Sequence, residues 1–267
     1  MTAMTAAPRR GHNAAWVLSD YWEMIKRSLR HIRHDPEQLA NVTVQPVLIV
    51  VLMNFLFGGA IKTGTHGSYI DFVLPGVLVV AVAFAAITTT TSVAADMLEG
   101  VVDRFRTLPM AKSAVIAGHV VADLARSLIG LAVAVAAGYA CGFRPAAGAG
   151  GWIETVAVLL LVAFTLSWLA AVIGLLGQSL EAAQQLAAII ILPVFLSSAL
   201  VPTATMPSWL RVVIANQPVT QAIDTLRALL AGQPPGNHLW FTLAEFTGLI
   251  LAAFALATTL FRGTASR

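Results

Sequence analysis

The chain has 267 residues, 58% of them hydrophobic and 11% charged, with a net charge of +3. Soluble domains carry about 25% charged residues, so this composition excludes an ordinary water-soluble globule and points to a membrane protein. The single cysteine, Cys141, excludes an intrachain disulfide.

Residues 1–15 are small, polar and Pro-containing, and read as a disordered tail. No apolar h-region or cleavage site follows their basic residues. No removable signal peptide is therefore expected, and the first apolar span would serve as an uncleaved anchor. Residues 16–35 change character. Leu18, Trp22, Ile25, Leu29 and Ile32 recur at alternating steps of four and three, with Asp20, Glu23, Arg27, Arg30 and His34 on the other side. This is the pattern of an amphipathic helix lying in the membrane interface, ended by Asp35 and Pro36.

Residues 36–261 then carry six apolar stretches, at 42–61, 72–95, 115–143, 153–176, 186–201 and 239–261. A bilayer requires about 20 residues of helix. The fifth stretch contains Pro193 and is short unless it extends back through Ala182 and Ala183. A tight polar turn holding Gln178, Glu181, Gln184 and Gln185 is expected before it. The hydroxyl run 88–92 has two uses, bonding back to helix carbonyls or across to a neighbour.

Between the second and third stretches lies the charged segment 96–109. Asp96, Glu99, Asp103 and Arg106 share one helical face, and Met97, Val101, Phe105 and Leu108 make the opposite stripe. The segment is either a solvated loop helix or a surface on which something outside the membrane pushes. Residues 202–238 hold two further short amphipathic helices. One carries Trp209, Leu210, Arg211, Val213 and Ile214. The other carries Val219, Ile223, Leu226, Leu229 and Leu230 and brings Asp224 and Arg227 together at a spacing of three. Support of an outer lid is the expected role of this pair.

Most Lys and Arg residues fall in 1–35, 96–113 and the tail 262–267, against Lys62, Arg144, Arg211 and Arg227 on the other side. The positive-inside rule then places both termini and the charged segment in the cytoplasm. The fold class expected is an all-α integral membrane protein: six transmembrane helices, an N-terminal interfacial helix, and short outer-side helices before the last span.

An enzyme would need a catalytic or metal-binding constellation. HExxH, GxSxG and GxxxxGK[ST] are all missing, and the six histidines are scattered, so neither a metal site nor an ATP site is expected in this chain. Asp123 and Arg126 stand out instead. Spaced by three, roughly 12–18 Å along the third span, they can meet on one helix face. Two roles stay open for them, support facing the bundle or a subunit interface, and direct contact with a substrate.

At this point the motifs carry a resemblance. Glu99, Gly100, Asp103, Arg104, Phe105, Arg106, Leu108 and Pro109, followed by Ser113, Ala114 and Val115, resemble the cytoplasmic-loop motif of ABC-2 type permeases. Within these the chain is most similar to the daunorubicin/doxorubicin resistance permeases. The likeness continues through Asp123, Arg126, Gly142, Phe143 and Arg144, through Met206, Pro207, Ser208, Trp209 and Leu210, and through Leu226 and Arg227. It departs at Gln217, where many relatives carry Asn. The resemblance implies a half-transporter paired with a second permease copy or paralogue, and with two copies of a separate ABC ATP-binding subunit that holds ATP and Mg. Glu99 to Pro109 would then contain the coupling helix that docks on the ATPase. The expected function is export of a hydrophobic or amphiphilic drug or antibiotic across the inner or plasma membrane. The alternatives are a lipid or polysaccharide exporter and an ion-coupled secondary transporter. No nucleic-acid partner is expected.

Overall fold

The computed structural model of the chain describes residues 36–59, 68–98 and 112–263. The expected tail at 1–15, the interfacial helix at 16–35 and residues 99–111 lie outside the described residues. Within them the chain forms eight α-helices and no strand. The helices are α1 (Pro36–Phe57), α2 (Tyr69–Leu98), α3 (Lys112–Ala140), α4 (Ala149–Leu176), α5 (Leu180–Phe195), α6 (Ser208–Ala215), α7 (Pro218–Leu230) and α8 (Asn237–Gly263). Four of them, α2, α3, α4 and α8, are long and apolar enough to cross a membrane. The apolar parts of α1, 42–57, and of α5, 180–195, are shorter.

Several helix boundaries differ from those expected. α1 opens at Pro36, because a proline in the first turn gives up only an N–H that has no partner there anyway. α2 runs past position 95 and takes in both Asp71 and Asp96. Thirty residues of helix span about 45 Å, longer than the roughly 30 Å of hydrocarbon, so both carboxylates can reach the two headgroup regions. α3 stops at Ala140, and Phe143 folds back, its N–H donating to the Gly138 carbonyl at 2.9 Å. α5 occupies 180–195 rather than 186–201. The Ser179 side chain caps its start, Oγ accepting from the Ala182 N–H at 3.1 Å. Glu181, Gln184 and Gln185 therefore lie on a helix and not in a polar turn. Arg262, expected to open the tail, is still on α8.

α2 is the central helix. It packs against α1, α3, α4, α5 and α7, and α8 packs on α4 and α7. The core is made of small and β-branched residues such as Val73, Val77, Val80, Ala83 and Ala86 on α2, facing Val158, Val162 and Ala163 of α4. Lipid is as apolar as these side chains, so close packing rather than exclusion from water holds the helices together. Two glycines show how close. A Cβ at Gly76 would overlap the Ala199 carbonyl, and one at Gly130 would stand 2.7 Å from the Val42 carbonyl oxygen. Pro46 supplies no N–H to that Val42 carbonyl within α1, so the open side of the helix is where α3 approaches.

Candidate functional site

The structure gathers polar side chains at three places along the bundle. The first is buried between α2, α3 and α4. Asp123 is 1% exposed, and Arg126 Nη2 lies 3.7 Å from its Oδ1. Ser167 of α4 shares its one hydroxyl hydrogen between Asp123 Oδ2 and the Ala163 carbonyl, the latter at 2.8 Å. Buried hydroxyls on α2 and α3, Thr89, Thr90 and Ser127, adjoin this level of the fold. Thr88 and Thr91 satisfy themselves on helix carbonyls, whereas the Thr89 and Thr90 hydroxyls are buried, Thr89 beside Asp123. Of the two uses expected for the hydroxyl run, bonding back to helix carbonyls is seen for the outer pair.

The second place is the end of the bundle at which α2 and α8 begin. Arg227 of α7 donates through Nε to the Phe72 carbonyl at 3.0 Å and through Nη1 to Asp224 at 2.8 Å and Ser198 Oγ at 2.9 Å. Its Nη2 donates to the Ser198 carbonyl at 2.5 Å. Its guanidinium also stacks 3.7 Å above the Phe72 ring. Burial pushes the Arg227 pKa down, and the adjacent Asp224 carboxylate opposes that shift. The arrangement ties α7, α2 and the turn after α5 with one side chain. Tyr69 adds a second tie, its hydroxyl donating to the Leu200 carbonyl at 3.1 Å. α7 is therefore built into the bundle through Val219, Ile223, Leu226 and Leu230. α6, the other short helix expected before the last span, stays on the surface, with Trp209 71% exposed and Arg211 exposed as well.

The third place is the opposite end. Asp96, in the last turn of α2, has its Oδ2 2.8 Å from His119 Nε2 on α3. This contact brackets the connection that holds Glu99, Gly100, Asp103, Arg104, Phe105, Arg106, Leu108 and Pro109, all of which lie outside the described residues. Asp96 itself belongs to α2, so it is not part of a separate loop helix as its spacing suggested. No group of three or more potential metal ligands occurs among the described residues.

Compared with known proteins, residues 19–231 match the model of the ABC-2 type transporter family. The chain belongs to that family. This ABC-2 chain is 31% identical to a daunorubicin resistance ABC transporter permease protein of Streptomyces coeruleorubidus, over 96% of its own length and 89% of the relative's. It is 26% identical to a probable doxorubicin resistance ABC transporter permease protein of Mycobacterium tuberculosis, over 87% of its own length and 84% of the relative's. A doxorubicin resistance ABC transporter permease protein of the same organism is 31% identical over 65% of this chain and 60% of the relative.

Several polar residues of the ABC-2 chain carried no signal in sequence. Ser167 sits in an apolar run, and only the packing of α4 on α3 gives it a carboxylate to meet. His119 and Asp96 are 23 positions apart and come together because α2 and α3 are adjacent and antiparallel in sequence order. Gln217, the departure from the family pattern, turns its amide toward the Pro193 and Leu196 carbonyls. These lie at the end of α5, where helix carbonyls have no intrahelical partner. Glu245 was overlooked although its signal was visible. It is a carboxylate inside an apolar span, and its Oε2 has no hydrogen-bond partner among the described residues.

Proposed function

We propose that this chain is the transmembrane permease subunit of an ATP-driven exporter of hydrophobic or amphiphilic drugs. The observation that carries the reading is the match, over nearly the whole of both chains, to a daunorubicin resistance permease. In this reading the six apolar helices α1 to α5 and α8 all cross the membrane, with both termini in the cytoplasm of a cell bounded by its inner or plasma membrane. A separate ABC subunit, present twice, binds ATP and Mg, and a second permease copy or paralogue completes the pathway. Residues 99–109 receive the movement of the ATPase, and the Asp96–His119 contact holds the base from which that segment leaves the bundle. The buried Asp123–Arg126 pair acts as support: with Ser167 bound to the carboxylate and 1% exposure, it has no open face toward a substrate.

The test is transport. The chain is reconstituted with its ATPase in inside-out vesicles, and ATP-dependent accumulation of a fluorescent anthracycline is followed. Accumulation that needs both subunits and stops without ATP is the expected result. Movement of labelled phospholipid with no drug accumulation would replace the drug reading by the lipid one. Drug movement driven by a proton gradient without ATP would overturn the ABC mechanism.

A further inference from the structure

A cavity of 830 Å³ opens at the end of the bundle where α2 and α8 begin. Such a volume is that of a ligand site rather than of a packing defect. Its charged lining is balanced: Asp71 and Asp224 against Arg144 and Arg227, with His238 at the side. Phe72 and Phe143 supply apolar wall.

The four charges are not equally available. All three nitrogens of Arg227 are committed to Phe72, Ser198 and Asp224. Arg144 is different. Its Nη1 donates to the Phe143 carbonyl at 3.0 Å and the Tyr139 carbonyl at 3.5 Å. Its Nε and Nη2 make no hydrogen bond to the described residues, and the side chain is exposed. Those two nitrogens form the planar fork that suits a phosphate. Among the carboxylates, Asp224 uses Oδ1 for Arg227 and Ser198, and its Oδ2 accepts nothing among the described residues. Asp71 accepts one backbone N–H on each oxygen, from Ser68 at 3.1 Å and Arg144 at 3.2 Å, and keeps a lone pair on each.

One open cationic fork beside two carboxylates with spare lone pairs is matched by a ligand that carries both signs. A plain cation would meet the Arg144 fork, and a plain anion would meet the two carboxylates. The exposed residues around the cavity point to the source. Trp240 and Phe241, next to His238, are 71% and 54% exposed, and Tyr139, whose carbonyl holds Arg144, is also exposed. Exposed aromatic residues of this kind sit at the headgroup level of a bilayer.

We propose that this cavity binds the zwitterionic headgroup of an aminophospholipid, its phosphate on the Arg144 fork and its ammonium between Asp71 and Asp224. The inference needs only that the chain spans a bilayer; it does not depend on what the chain exports. The test uses the full-length protein in nanodiscs of equal phosphatidylethanolamine, phosphatidylcholine and phosphatidylglycerol. After a delipidating wash, the retained lipid is measured by mass spectrometry. Phosphatidylethanolamine should be retained in preference to both others, because it alone offers N–H donors as well as phosphate. Arg144→Gln should reduce that preference about tenfold, the loss of one charge-assisted contact. Equal retention of phosphatidylglycerol would show a simple anion site and overturn the proposal. So would displacement by dodecylamine as effective as that by phosphatidylethanolamine, which would show a cation site. Free phosphoethanolamine competing as well as the lipid would remove the membrane as its source, and retention equal to the bulk mixture would mean no site. The series on the unmodified protein decides the matter even if the Arg144 variant does not fold.

Discussion

Asp123 could be picked out from the sequence because a carboxylate inside an apolar run is costly unless something compensates it. What compensates it could be picked out only in part. Arg126 follows from the spacing of three, which puts it on the same helix face and, in the structure, 3.7 Å away. Ser167 does not follow, since nothing in a chain of alanines and leucines says which hydroxyl will face a neighbouring helix. Removing one partner leaves the other charge buried, which typically costs about 3–5 kcal/mol. Asp123→Ala should therefore lower the yield and melting temperature of detergent-purified protein strongly. The double variant Asp123→Ala, Arg126→Ala should recover part of that loss, and Ser167→Ala should cost less, about 1–3 kcal/mol. Normal yield with abolished transport in the Asp123 variant would move the pair from support into the pathway. Gly76 makes a second prediction at this scale. Its missing Cβ is the space that the Ala199 carbonyl occupies. Gly76→Ala should destabilise by about 1–3 kcal/mol, as overpacking generally does, read as a lowered melting temperature. A stability equal to that of the native chain would mean that the turn after α5 yields easily.

Elements were legible where the apolar pattern was long. α2, α3, α4 and α8 each appear in the sequence as a long apolar run, broken by Asp123 and Arg126 in α3 and by Glu245 in α8, and their ends fall within a few residues of those expected. α5 lies six residues ahead of the apolar run and takes in the extension through Ala182 and Ala183, because hydropathy counts Glu181, Gln184 and Gln185 as a break whereas the Ser179 cap starts a helix ahead of them. A cap is one hydrogen bond, visible in sequence only as a Ser before a helical run, which is a weak signal beside three polar side chains. α7 is legible as an amphipathic helix, whereas the extent of its burial comes from packing that spacing does not show. Its polar residues, Asp224, Arg227, Thr220 and Thr225, suggest a surface, yet each has a partner in the bundle. Gln217 ties α7 to the end of α5 and gives a prediction for the pair of elements. Gln217→Ala leaves the Pro193 and Leu196 carbonyls without that donor and should cost about 1–3 kcal/mol, whereas Gln217→Asn should keep part of the contact. Equal melting temperatures for all three proteins would show that water serves those carbonyls as well. For the segment between α2 and α3, charge reversal at Asp103 or Arg106 should uncouple ATP turnover from transport while substrate binding by the permease alone persists. Lost binding with normal, substrate-stimulated ATPase would place these residues in the translocation path instead.

Charge and helix length together decide how the whole molecule sits in a bilayer. Lys and Arg concentrate in 1–35, 96–113 and 262–267, and on the positive-inside rule the proposed orientation has those segments in the cytoplasm. Helix length is consistent with that arrangement for α2, α3, α4 and α8, but α1 and α5 need separate treatment. The apolar part of α5 is 16 residues, about 24 Å of helix, against roughly 30 Å of hydrocarbon. It can still complete a crossing if the irregular turn after it is buried in protein, since backbone that is not helical is tolerated at membrane depth only there. The middle of the turn meets that condition: Ser197, Ser198 and Ala199 are buried, Thr220 and Arg227 take up the N–H and carbonyl of Ser198, and Ser197 Oγ accepts from the Ala199 N–H. Six crossings then put Lys112 inside and Gly67, Gly148 and Gln233 outside. On a Cys141→Ser background, single cysteines at 67, 148 and 233 should react with an impermeant maleimide in intact cells, and one at 112 should react only after permeabilisation. If α5 does not cross, the two outer connections part company: position 148 keeps its label while 233, beyond α5, loses it. Reaction of the 112 cysteine in intact cells would reverse the orientation and detach the segment after α2 from any cytoplasmic ATPase.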